Sequence, residues 1–157
     1  MTSSLAASTD RIEREIQLKA TRSRVWQALS NAEEFGIWFG AALKGQKFVV
    51  GQRVQGQITI RGFEHVLFDA LVVELKPEQL FSYCWHPYAI DPAIDYSTEE
   101  TTLVTMELSD IAGGTLLKVI ESGFDKLPAV RRDEAFRMNS GGWEGQLRNI
   151  ARHVDSA

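Results

Sequence analysis

One cysteine in the whole chain, Cys84, leaves no partner for an intrachain disulfide. A single thiol among aromatic residues reads as a small, half-buried core residue in a reducing compartment, here the cytoplasm. No histidine or acid stands beside it in the pattern of a nucleophilic thiol. There are three histidines, His65, His86 and His153, scattered without ligand spacing, and neither HExxH nor CxxC occurs. That argues against a metal and against any cofactor held by such motifs. No apolar run is long enough to span a bilayer. The net charge of −4 removes any bulk electrostatic reason to bind nucleic acid. The densest basic run, Arg131-Arg132, is followed at once by Asp133-Glu134, as on a solvated helix surface.

What is present fits one globular domain. The 157 residues are 44% hydrophobic and 24% charged, enough for a real core. Residues 1–10, rich in Ser, Ala and Thr, read as a flexible tail without the pattern of a secretory signal, and residues 11–155 read as the domain. Arg11 to Lys19 alternates with period two, which predicts a strand. Thr21 is placed to cap a helix carrying Val25, Trp26 and Leu29, and a second short helix is predicted from Asn31 to Trp38. Strands follow at Arg53 to Arg61, His65 to Leu75 and Leu80 to Trp85, with a turn at Lys76-Pro77-Glu78 where Pro77 cannot donate to a ladder. His86 to Glu100 has two prolines and no period, and a loop of this length is often functional. Thr101 to Asp110 and Thr115 to Phe124 form a hairpin closed by Gly113-Gly114. A long helix starts at Pro128, and Phe136, Trp143, Leu147, Ile150 and Val154 share one of its faces.

Gly141 and Gly142 interrupt that helix with two poor helix formers, each about 0.5–1 kcal/mol worse than alanine. Close approach of the helix to a curved sheet is one reason to keep them, with Trp143 pointing inward from the same turn. A kink is the other.

The order strand, two helices, a run of strands and a long C-terminal helix resembles the START-like, helix-grip superfamily known as SRPBCC. Within it, the chain resembles the branch related to activators of the heat-shock-protein ATPase (AHSA-like). The resemblance rests on KATRSRVWQALSN (Lys19 to Asn31), FGIWFG (Phe35 to Gly40), FVVGQRVQGQI (Phe48 to Ile58) and LFSYCWHP (Leu80 to Pro87). It rests further on the Thr101 to Phe124 strand pair and NSGGWEGQLRNIARHV (Asn139 to Val154). It spans residues 11–154 and implies an α+β fold with an antiparallel sheet of six or seven strands curved around the C-terminal helix. It also implies a cavity under that helix, with a usual role in holding apolar ligands. The superfamily contains binders, cyclases, hydroxylase domains and co-chaperones, so it implies no one reaction.

Several side chains are candidates for such a cavity. Alternation puts Glu121 on the concave face with Leu117 and Val119. A carboxylate there needs a partner, and Arg137 or His86 is the expected one. Trp38, Phe81, Tyr83, Trp85, Met106, Phe136 and Trp143 are expected to line the cavity, with Phe39 and Met138 in the wider aromatic and sulfur set. His86, at the head of the long loop, is placed for a gate or a base. The reading that follows is a module binding a small hydrophobic or amphipathic ligand, without a cofactor. An enzyme of cyclase or hydrolase type using Glu121, Tyr83 or His86, a co-chaperone role and a homodimer all remain open.

Overall fold

The computed structural model describes residues 10–155. The expected tail therefore lies outside the described residues, apart from Asp10. Six strands form one antiparallel sheet: β1 (Arg11–Leu18), β2 (Arg53–Gln57), β3 (Leu67–Lys76), β4 (Leu80–Trp85), β5 (Thr102–Ile111) and β6 (Gly114–Ser122). Their spatial order is β1-β6-β5-β4-β3-β2, so the first strand closes against the last. Helices α1 (Arg22–Ser30) and α2 (Ala32–Phe39) follow β1, and α3 (Ala129–Asp155) ends the described chain. This is the α+β helix-grip arrangement, with α3 laid against β1, α1 and α2.

Local chemistry accounts for the element ends. The Thr21 hydroxyl accepts from the Arg24 amide and the Asn31 side-chain Oδ1 from the Glu34 amide, capping α1 and α2. Gly40, in the left-handed region, ends α2. Between β3 and β4 the turn runs through Glu78 at φ 62°, with Lys76 paired to Leu80. The β5–β6 hairpin has a two-residue loop, since Ile111 pairs with Gly114. At Gly114 a side chain would collide with the Leu18 carbonyl, so glycine there permits β1 to close on the hairpin. The Asp155 carboxylate, accepting from the Lys19 and Ala20 amides, ties the end of α3 to the start of α1.

Burial follows the pleat. Val104, Met106 and Leu108 on β5, and Leu117, Val119 and Glu121 on β6, all face the core. Phe35 sits at its centre, with its ring 4.8 Å from Phe39, 5.4 Å from Phe48, 5.8 Å from Phe68 and 6.0 Å from Phe81. From α3, Ala135, Trp143, Leu147, Ile150 and Val154 enter this core.

Two expectations are corrected. β2 ends at Gln57, short of the expected Arg61, and only the isolated Ala41–Ile58 bridge continues its pairing. Gly141 and Gly142 permit no close approach: both are exposed, and a Cβ at either would meet nothing within 4 Å. The helix runs through them unbroken. The reason is angular. At about 100° per residue, positions two and one before Trp143 turn away from the face that Trp143 buries.

Candidate functional site

Glu121 is fully buried on the concave face of β6, between Ile12 of β1 and Val104 of β5. Its two oxygens are shared between the two layers of the fold. Oε2 accepts from the sheet: Trp85 Nε1 donates at 2.7 Å and Thr102 Oγ1 at 2.6 Å. Trp85 and Thr102 are themselves cross-strand partners at the ends of β4 and β5. Oε1 accepts from the helix: Trp143 Nε1 donates at 2.8 Å and Asn139 Nδ2 at 3.0 Å. Asn139 and Trp143 are four apart and so share one face of α3. One carboxylate thus fastens α3 to the sheet and fixes the planes of two indoles and one amide.

The expected partners, Arg137 and His86, do not take this role. Arg137 is exposed with Nη1 near Met138 Sδ, and His86 Nε2 donates to the Glu99 carbonyl at 3.1 Å. Among the described residues no cation pairs with Glu121, and four neutral donors do the work an ion pair was expected to do. Burial pushes the Glu121 carboxyl above its ordinary value. The hydrogen bonds from Thr102, Trp143, Trp85 and Asn139 pull the other way without cancelling it. Burial, and then the nearby Glu121 charge, pushes the Tyr83 phenol well above its ordinary value. The Tyr83 hydroxyl is buried without a hydrogen-bond partner among the described residues.

Two spaces adjoin this cluster. A small cavity of about 100 Å³ is lined by Phe39, Trp85, Asn139, Gly142, Trp143 and Gln146. A cleft of about 500 Å³ shares Phe39, Trp85 and Asn139 with it and extends past Phe68 to His86, Tyr88 and Tyr96 in the long loop. Gln146 Nε2 donates to the Phe39 carbonyl at 2.8 Å and holds the edge of α2 at this wall. Arg131 pins the loop from the other side, donating to the Pro87 and Tyr88 carbonyls and pairing with Glu99 at 2.8 Å. An equally large groove at the far end of the sheet, lined by Arg22, Lys76, Glu107, Asp110 and Lys118, is charged and touches none of this cluster.

Of the side chains expected at the cavity, the fold brings Trp85, Glu121 and Trp143 to one point. Phe81, Tyr83 and Met106 are buried alongside, Phe81 and Met106 as a cross-strand pair. Phe136 packs half-buried against Phe124, with ring centroids 5.2 Å apart. Trp38 lies on the α1 side, where Nε1 donates to the Ala28 carbonyl, and it borders a shallow surface groove. Met138, in the wider set, is 38% exposed and outside the core. Sequence reasoning missed Thr102 and Asn139. Asn139 had a signal: it lies one helical turn before an inward tryptophan. Thr102 had none, because threonine is ordinary in a strand.

A family model described as Activator of Hsp90 ATPase homolog 1-like protein matches residues 19–155. No curated protein matches the sequence. Among solved structures, protein MLL2253 from Mesorhizobium loti superposes with a TM-score of 0.69 at 22% identity, over 92% of this chain and 96% of that one. The solution structure of the Aha1 dimer from Colwellia psychrerythraea gives 0.65 at 16%, over 92% and 96%. DynU16, a putative protein in the dynemicin biosynthetic locus, gives 0.71 at 19%, over 94% of this chain and 48% of that one, so this chain spans about half of DynU16. At these identities the structures share the fold with this chain. Among the described residues no helix is long and apolar enough to cross a membrane.

Proposed function

The chain belongs to the Activator of Hsp90 ATPase homolog 1-like family, and from that premise we propose that it binds a small hydrophobic or amphipathic molecule in the cleft beside α3. One observation carries the reading. The cleft and the smaller cavity meet at Phe39, Trp85 and Asn139, and Glu121 holds two of those three side chains in fixed orientation. A pre-set aromatic wall with a few convergent polar atoms is the usual make-up of a small-molecule site, because it stacks a flat or greasy ligand at little ordering entropy. Glu121 acts here as a positioning residue. Its oxygens already accept four hydrogen bonds, so in this arrangement it orients the wall instead of touching the ligand. Of the expected set, Trp85 faces the cleft and Trp143 the small cavity that opens beside it, and Phe81, Tyr83 and Met106 support them from the core.

An enzymatic reading of cyclase or hydrolase type needs a group free to move a proton at the cleft. Glu121 is saturated and His86 Nε2 is committed to Glu99, so binding is placed first. The family description favours a protein-interaction role as a second reading, and the dimeric Colwellia Aha1 favours self-association. Stoichiometric recovery of a chaperone in a pull-down, or a dimer by analytical ultracentrifugation, would bring these forward. The reading places the protein in the cytoplasm.

Gly142→Leu tests the proposal. Gly142 borders the small cavity, and no atom lies within 4 Å of its missing Cβ. Leucine there fills the cavity without a backbone clash. Binding of a fluorescent probe that reaches from the cleft into the small cavity should be lost in Gly142→Leu while the protein stays folded. Unchanged probe affinity in the folded variant removes this site.

A further inference from the structure

The polar atoms at the cleft have a sense of direction. Glu121 Oε1 accepts from Trp143 Nε1, a group that only donates, and from Asn139 at 3.0 Å. A carboxylate oxygen accepts, so the Asn139 amide must turn its Nδ2 toward it. The Asn139 carbonyl oxygen is thereby turned away from Glu121, and no described residue donates to it. Asn139 borders both the cleft and the small cavity. The same reasoning applies to His86. Its Nε2 faces the Glu99 carbonyl at 3.1 Å, which only accepts, so Nε2 carries a proton and is directed at that carbonyl.

The charges agree with the acceptors. Asp69 and Asp95 both border the cleft, and the Ser97 amide and hydroxyl hold Asp95 in its ionised form. The one arginine of the lining, Arg53, is bound to Asp69 at 3.0 Å. Two aspartates against one arginine leave the lining acceptor-rich and formally negative.

We infer that this cleft selects an apolar aromatic molecule bearing a hydrogen-bond donor, a hydroxyl or an amine, directed at the Asn139 carbonyl, and rejects a carboxylate or phosphate head group. The inference rests on the ligand-binding reading above and names the class of ligand. An anion meets like charge from Asp69 and Asp95 and the lone pairs of the Asn139 carbonyl, with Arg53 already paired, whereas a donor finds in that carbonyl an acceptor that no described residue uses.

Three probes of one ring system test it: 2-naphthol, 2-methoxynaphthalene and 2-naphthoate, titrated into the full chain at neutral pH and followed by tryptophan fluorescence. The hydroxyl compound is expected to bind at least about tenfold more tightly than either of the others, because a site built to accept from a hydroxyl rejects the analogue that lacks one. In Asn139→Leu the naphthol affinity should fall to that of the methoxy compound, whose own affinity stays level. The wild-type comparison stands even if that variant fails to fold. Equal affinities for the three probes overturn donor selection and leave the cleft reading intact. Tighter binding of the naphthoate, or a naphthol preference that survives in folded Asn139→Leu, also overturns it. Failure of all three to bind at millimolar concentration overturns the cleft reading and this inference together.

Discussion

Exchanging Glu121 for glutamine keeps the shape of the side chain, changes its hydrogen-bonding sense and removes its titration. As a neutral acid, Glu121 can still satisfy every partner: one oxygen accepts from Trp143 and Asn139, and the other accepts from Trp85 while its proton goes to the Thr102 hydroxyl, which turns from donor to acceptor. Glutamine has one accepting oxygen and one donating nitrogen. If its NH2 faces the helix, the Trp143 N–H loses its acceptor; if it faces the sheet, the Trp85 N–H does. Asn139 and Thr102 can turn to accept, but an indole cannot. One buried indole N–H is left unpaired in either pose, which costs about 1–3 kcal/mol. The pH dependence follows from burial holding the Glu121 carboxyl above its ordinary value. A carboxyl raised in the folded state contributes stability that is full below its unfolded value, about 4.3. That contribution is lost as pH rises through the raised folded value. The cost of Glu121→Gln should therefore be greatest at the acid end and shrink toward neutral pH. Urea denaturation of both proteins at several pH values between about 4 and 8 measures it, since the other titrating groups cancel in the difference. A cost that grows with pH would mean that the four hydrogen bonds outweigh burial and depress the carboxyl. A cost near zero at every pH would mean that the indole bonds do not matter.

Trp143 is only 3% exposed, and Trp143→Ala should destabilise by about 3–5 kcal/mol in the same assay; a loss below about 1 kcal/mol would place the ring outside the core. Gly141→Ala, with an exposed position and open space around the new methyl, should stabilise by about 0.5–1 kcal/mol, and destabilisation would show a contact that the fold does not contain. Gly114→Ala should do the opposite and destabilise clearly, because its methyl meets the Leu18 carbonyl. Arg131→Ala removes the bonds to Pro87, Tyr88 and Glu99, so limited proteolysis should cut the 86–100 loop faster than in the parent, with the rest of the chain resistant.

The strands and helices were legible because their patterns are local. The alternation through Thr101 to Asp110 and Thr115 to Phe124 places Glu121 on the inner face, and the structure agrees. What surrounds Glu121 is set by long-range register, which periodicity cannot carry. Trp85 and Thr102 meet it only because β4 pairs with β5 in one particular register. Asn139 and Trp143 meet it only because of the rotation of α3 about its axis. The expectation of Arg137 or His86 came from treating a buried charge as needing an opposite charge, whereas four neutral donors serve. The glycine pair went astray for a different reason. Their cost in a helix interior suggests close approach to the sheet, but their angle around the helix turns both to open space. Gly142 keeps its interest on other grounds, as a bare position beside a cavity.

The central claim is a ligand seated against Trp85 where the cleft meets the small cavity lined by Trp143, and the four tryptophan indole N–H signals in a nitrogen–proton correlation spectrum test it most directly. On titration with 2-naphthol the Trp85 and Trp143 signals, both bonded to Glu121, should shift together. The Trp38 signal, bonded to Ala28, and that of Trp26 should stay in place. Shifts confined to Trp26 or Trp38, or no indole shift at saturation, would contradict the account.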